Sequence, residues 1–192
     1  MKVIIFEICR SPEIQKETEA LILSNFFTQQ GIDYKVYSND AIWSERTVLD
    51  KDFMGRCLRN HDVGIVHLAM HGNNNGFVLR WSDAENIRYR VAEDLLTSFE
   101  IGMMSGWKGK MLVSGACSSA KLASSFLEAG ATDVIAPETP IPWRNLGSFF
   151  KLFYQALFLG QNAISALALA ISQFPEFKSY QVYSTNSRDR CC

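Results

Sequence analysis

The sequence has no long uninterrupted apolar run. Its most apolar stretch, Phe149 to Phe174, is broken by Lys151, Gln155, Gly160, Gln161 and Asn162, which suits two helices with buried faces and excludes a membrane span there. The opening MKVIIFEICRSPE has a short apolar run followed by Arg10 and acidic helix-starting residues, not a small-residue cleavage site, so no signal peptide is expected. An excess of one charge is also lacking. With 19 basic and 20 acidic residues the formal net charge is −1, which gives no electrostatic reason to expect nucleic acid or a membrane surface as a partner. Paired cysteine motifs are absent as well. Cys9, Cys57, Cys117, Cys191 and Cys192 form neither a CxxC pair nor a zinc pattern. Unpaired thiols in a chain large enough to fold without staples point to a reducing cytoplasm. The terminal Cys191-Cys192 pair is not a CaaX box and reads as an untethered tail. A metal set of Cys57, His61, His67 and His71 would need one helix, yet an apolar strand intervenes. The first strand-to-helix turn, Cys9-Arg10-Ser11-Pro12, holds no glycine-rich phosphate loop, which counts against a flavodoxin-like nucleotide binder.

What is present is an ordinary globular composition, 47% hydrophobic and 20% charged over 192 residues. That suits one domain, 1–192, with a sizeable core. Strands alternate with helices. Lys2–Ile8 reads as a buried strand, and Ser11-Pro12 as the cap and first position of a helix ended by Gly31. Tyr34–Tyr37 is a short strand and Lys51–Asn60 a helix. Asp62–Ala69 is nearly all apolar, as expected of a strand covered on both faces. Phe77–Arg80 and Asn86–Tyr89 read as a hairpin around Ser82-Asp83, with a helix over Val91–Met103. Lys110–Ser114 is a strand leading through Gly115-Ala116-Cys117 into a helix over Ser119–Ala129. Thr132–Ala136 is a further strand. Two helices span Leu146–Leu159 and Ala163–Phe174, and Tyr180–Ser184 suits an edge strand. The pattern predicts an α/β fold with a mostly parallel central sheet and helices on both faces.

In such sheets the ligand crevice lies beyond the carboxyl ends of the strands. His71 and Cys117 both fall there, each just after an apolar strand. A cysteine nucleophile needs a proton-handling partner, an exposed tip and amide donors for an oxyanion. Gly72 allows close backbone approach beside His71. A helix starting after Cys117 is expected to favour negative charge at the sulfur. His67, facing the same way as Ile65 and Ala69, reads as a packed, hydrogen-bonded core histidine. The aromatic rows at Phe149, Phe150, Phe153, Tyr154 and Phe158 read as core.

The segment His67-Leu68-Ala69-Met70-His71-Gly72 resembles the HxAxHG signature of CHAT domains, a caspase-like peptidase family that includes relatives of separase. Ser114-Gly115-Ala116-Cys117-Ser118-Ser119 resembles that family's cysteine motif. Phe126 to Ile135 and the rhythm of Phe149 to Ala170 resemble its downstream pattern, so the likeness runs from Asp62 to Ala170. In caspases the histidine lies about 50 residues before the cysteine, and His71 precedes Cys117 by a similar interval.

The resemblance implies a caspase-like fold and cysteine endopeptidase activity, with a protein or peptide substrate and neither metal nor cofactor. Cys117 would attack the scissile carbonyl, His71 would manage the proton, and the N–H groups of Gly72 and Cys117 would form the oxyanion hole. Arg10, Gly115, Ala116, Trp143 and Arg144 are the expected substrate-contacting positions. Basic-specific relatives carry an aspartate two residues before the cysteine, where this chain has Gly115. Their acidic V-x-D after the next strand is replaced here by Ile141-Pro142-Trp143-Arg144. A small or acidic P1 residue is the resulting expectation. Relatives often carry repeat or sensor domains for which this chain has no room, so a separate activator or recruiting protein is expected, in a setting such as antiviral defence or programmed cell death. The rival reading is a catalytically inactive caspase-like binding module, which the intact His–Cys pair argues against.

Overall fold

The computed structural model describes residues 2–8, 18–39, 48–59, 62–81 and 92–185. The elements run β1 (Lys2–Ile8), α1 (Glu19–Gln30), β2 (Tyr34–Ser38), α2 (Lys51–Leu58), β3 (Val63–Met70), β4 (Gly72–Asn73), β5 (Gly76–Trp81) and β6 (Ala92–Thr97). They continue with α3 (Ser98–Met103), β7 (Met111–Ser114), α4 (Ala123–Glu128), β8 (Asp133–Pro137), α5 (Leu146–Phe158), α6 (Ala163–Gln173) and β9 (Tyr180–Ser184). Among the described residues, six strands form one sheet in the order β2-β1-β3-β7-β8-β9. All its pairs are parallel except β8–β9. The expected mostly parallel α/β sheet, with Tyr180–Ser184 at its edge, is therefore what forms.

Side-chain alternation along the strands builds two cores. Val3, Ile5, Ile65, Ala69, Val113 and Ile135 face one side, where α1, α5 and α6 supply Leu23, Phe27, Phe150 and Ala166. Ile4, Phe6, Val66, Leu68, Leu112 and Val134 face the other, against Met54, Leu58, Trp107 and Phe126. A strand covered on both faces has no polar side to show, which is why the strands read as continuous apolar runs.

Three sequence expectations need correction. Val91–Met103 is not one helix. Ala92–Thr97 is a strand antiparallel to β5, and the helix begins only at Ser98. The switch has a local cause: Thr97 and Glu100 form a reciprocal capping box, with the Thr97 N–H donating to Glu100 Oε2 at 2.8 Å. The hairpin partner of β5 is thus 92–97, and the arm expected at Asn86–Tyr89 lies outside the described residues. Ser119–Ala129 is likewise not a uniform helix. It is a 3-10 turn over Ser119–Leu122 followed by α4. Finally, α1 starts at Glu19 behind an N-cap Thr18, whose side chain accepts from the Leu21 N–H at 3.2 Å. The cap expected at Ser11-Pro12 falls outside the described residues.

The capping box yields a test. Thr97→Ala removes the cap's side-chain acceptor and is expected to cost about 1 kcal/mol in urea unfolding, with no change in the slope of the transition.

Candidate active site

Strands β3 and β7 are direct parallel neighbours, with Leu68 opposite Ser114. The ladder extends one step further through Gly115 N–H, which donates to the Leu68 carbonyl at 2.9 Å. Both strands therefore end at the same level, and the chains leaving them, His71-Gly72 and Ala116-Cys117, run side by side. The contact is tight. A Cβ placed on Gly72 would lie 2.8 Å from Ala116 Cβ and 3.2 Å from the Cys117 carbonyl oxygen. Only a residue without a side chain lets the histidine loop reach the cysteine turn this closely. Val78 N–H donates to the His71 carbonyl at 2.9 Å, so Gly72 and Phe77 are a non-hydrogen-bonded pair and the Gly72 N–H points away from β5.

The cysteine turn is braced from beneath. Ser114 and Ser119 hydroxyls lie 2.7 Å apart, the Ala116 N–H donates to Ser114 Oγ at 3.1 Å, and Ser119 Oγ donates to the Ala116 carbonyl at 2.8 Å. Tyr180 Oη donates to the Ser114 carbonyl at 3.0 Å. Ser118, next to Cys117, has φ 55, a left-handed conformation unusual for serine. Because of that kink, no full helix begins at Cys117. Only a short 3-10 turn follows, from Ser119, so the helix-dipole contribution expected for the sulfur is reduced.

A loop after β8 lies over both residues. The Ile141 N–H donates to Cys117 Sγ at 3.5 Å, and Sγ lies 3.8 Å from the Ile141 carbonyl. Trp143 packs on the imidazole of His71, ring centroids 4.6 Å apart and planes at 59°. Burial among these groups pushes the His71 pKa below its ordinary 6.5, because the charged imidazolium loses hydration. At neutral pH His71 is accordingly the free base.

The remaining expected substrate positions spread out. Trp143 is half-buried at His71 and Arg144 is exposed beside it. Gly115 is buried, and the Ala116 side chain belongs to the core on the α2 and α4 side. Arg10 lies outside the described residues.

Sequence reasoning missed Glu19. Its carboxylate lies on Gly115, so that a Cβ there would come within 2.6 Å of Glu19 Oε1. The residue is only 7% exposed, and Oε1 sits 2.6 Å from His67 Nε2. His67 Nδ1 in turn lies 2.9 Å from Tyr154 Oη. A carboxylate only accepts, so Nε2 donates to Glu19 and, in the neutral imidazole, Nδ1 accepts from the Tyr154 hydroxyl. Burial and the nearby Glu19 charge push the Tyr154 pKa well above 10.0, keeping that hydroxyl protonated. His67 is thus the packed, hydrogen-bonded histidine expected of it. Glu19 was legible only as an acidic residue near a helix start, and Tyr154 only as one of an aromatic row. A carboxylate thus lies behind the cysteine turn, brought from α1 and not carried at position 115.

Comparisons with known proteins bear on the family and the fold. The family profile described as the CHAT domain matches residues 7–186. No curated protein matches in sequence. Among solved structures, the chain superposes on the complex of Porphyromonas gingivalis RgpB pro- and mature domains with a TM-score of 0.61 at 9% identity, covering 95% of this chain and 47% of that one. It also superposes on the Arg-specific cysteine proteinase gingipain R with a TM-score of 0.58 at 10% identity, covering 95% and 46%. The architecture is that caspase-like fold, and this chain spans about half the length of the chains it matches. No helix among the described residues is long and apolar enough to cross a membrane.

The buried network makes a measurable demand. Glu19→Ala strips the buried His67 of a partner and is expected to cost about 1–3 kcal/mol in denaturant unfolding. Gly115→Ala should cost a similar amount, about 1–3 kcal/mol, by driving a methyl into the same carboxylate.

Proposed function

Because this chain belongs to the CHAT domain family, we propose that it is a cysteine endopeptidase with Cys117 as nucleophile and His71 as its proton carrier. The observation that carries this reading is the contact of Gly72 with the Ala116-Cys117 turn, 2.8 Å at the closest added atom. It puts an imidazole base and a thiol at adjacent parallel strand ends.

The chemistry uses the groups in place. The Cys117 thiol gives its proton to neutral His71, and the sulfur attacks the scissile carbonyl carbon. The developing oxyanion accepts from the N–H groups of Gly72 and Cys117, the first pointing away from its ladder and the second with no acceptor among the described residues. The imidazolium then protonates the leaving amine as the C–N bond breaks, leaving a thioester. Water, deprotonated by His71, hydrolyses it and returns the thiol. His71 must begin uncharged, and its burial favours that state. Trp143 holds the ring's orientation.

Dependence on an activating or recruiting protein is part of the proposal. The Ile141 N–H donates to the sulfur and Trp143 packs on the partly exposed imidazole, so the loop of residues 138–145 slows the approach of a substrate without closing the pair off. A partner that displaces this loop would speed cleavage, in a cytoplasmic setting such as antiviral defence or programmed cell death.

Two measurements address this reading. A thiol-reactive peptide ketone is expected to label Cys117 in the full chain, and His71→Ala should slow labelling roughly a hundredfold or more; equal rates in the two proteins would refute the dyad. The acid limb of the labelling profile should lie below pH 6.5, since the base form of His71 persists until its lowered pKa is crossed. Profiling against a peptide library should show small or acidic P1 residues cleaved best, as position 115 and the Ile141–Arg144 segment lack the acids of basic-specific relatives; dominance of basic P1 residues would overturn that preference.

A further inference from the structure

At the other end of the sheet from Cys117, a groove of about 420 Å³ lies between the C-terminal end of α2 and the loop leading into β7. Its lining is Leu58, Arg59, Ser105, Gly106, Lys108 and Lys110. Three of those six residues are cationic and none is acidic. The walls are firm. Gly106 packs directly on the backbone of Leu58, the Trp107 side chain is fully buried, and its Nε1 donates to the Ile101 carbonyl at 3.1 Å. The backbone of Lys110 is held on both sides, its N–H donating to the Trp107 carbonyl at 3.0 Å and its own carbonyl accepting from Thr132 N–H at 2.9 Å.

Lys110 is the unusual member. The residue as a whole is 6% exposed, its stem packed and its ammonium reaching solvent at the groove, where among the described residues that ammonium has neither an ion pair nor a hydrogen-bond partner. Burial alone acts on it, lowering its pKa from the ordinary 10.5. A lysine that packs its stem and keeps its head in water holds the charge at a fixed place, unmatched by any acid of the groove. Lys51 shows the contrast within the same region. It is bonded to both Asp94 and Glu100, and so has no charge left to offer a ligand. An adjoining groove shares Arg59 and Ser105 and adds Arg56, with Asp52 as the acid in its lining. The cationic surface thus continues beyond the pocket in a protein whose net charge is −1.

We propose that this groove binds a phosphate dianion, free or as a phosphomonoester, with Lys110 as the innermost cation, Arg59 and Lys108 flanking it, and the Ser105 hydroxyl as a neutral donor. Arg59 presents the planar fork suited to phosphate oxygens, and Lys110 the point charge that a desolvated anion needs. A volume of about 420 Å³ falls within the range of small-ligand sites. Lys110 also leads straight into Met111–Ser114, the strand that ends at the nucleophile turn. The site therefore grips the base of the strand that carries Cys117, although its occupancy does not depend on the peptidase reading.

Calorimetric titration of the full chain at constant ionic strength tests the proposal, with three probes: inorganic phosphate, AMP, and a phosphoserine peptide paired with its unphosphorylated form. Saturable one-to-one binding of at least one phosphate-bearing probe is expected, with Kd at or below about 1 mM. Lys110→Met should weaken it roughly tenfold or more, and Arg59→Gln should weaken it too. AMP binding without the peptide identifies a small-molecule source, and the reverse a modified protein. Lys110→Met keeps the apolar stem and removes only a solvated charge without a partner among the described residues, so its Tm without phosphate should match the parent's. Absence of saturable binding for all three probes, or Lys110→Met binding as tightly as the parent, overturns the proposal.

Discussion

The pairing of β3 with β7 is the constraint on which the rest of this molecule depends. Two strands from separate parts of the chain lie parallel and in register, so they end together, and the loop leaving one meets the turn leaving the other. Parallel pairing imposes this, because all carboxyl ends then lie on one side of the sheet. The glycine after His71 and the small Ala116 before Cys117 turn proximity into contact. A side chain at position 72 would hold the loops apart, and neither residue alone would then make a site.

The polar network behind the turn is the second requirement. Glu19, His67 and Tyr154 come from α1, β3 and α5, three elements that meet inside the core formed on one sheet face. Polar groups so deeply buried are tolerated because each finds a partner. Their geometry links the helix layer to the cysteine turn through Gly115, whose missing side chain is the space that the Glu19 carboxylate fills. The same absence that looks like a lost acid in one dimension is room for an acid in three.

Strand β7 carries chemistry at both ends. At its carboxyl end lies the Cys117 turn, at its amino end a lysine with a packed stem and a charge without a partner among the described residues. Near-neutral net charge concealed that second feature, since an even balance says nothing about which cations are matched locally. Lys51 is satisfied by two carboxylates while Lys110 faces a groove lined with further cations. Local pairing sets a charge's availability, and the total does not.

Much of this was legible in order along the chain. Apolar runs punctuated by glycine and polar turns determined the strands, because a strand buried on both faces needs apolar residues throughout. The motifs around His71 and Cys117 determined which strand ends mattered. Competing local signals misled elsewhere. Ala92–Thr97 looked helical beside Ser98–Met103, and only pairing with β5 made it a strand. The helix after Cys117 was shortened by a backbone kink at Ser118 that no residue pattern announces. Tertiary structure alone decided that Glu19 covers Gly115, that Ile141 and Trp143 cap the pair, and that Lys110 lies buried apart from the acids that pair Lys51. Each of these joins residues far apart in sequence, whose meeting depends on how the helices pack on the sheet, whereas periodicity reports only on neighbours along one element.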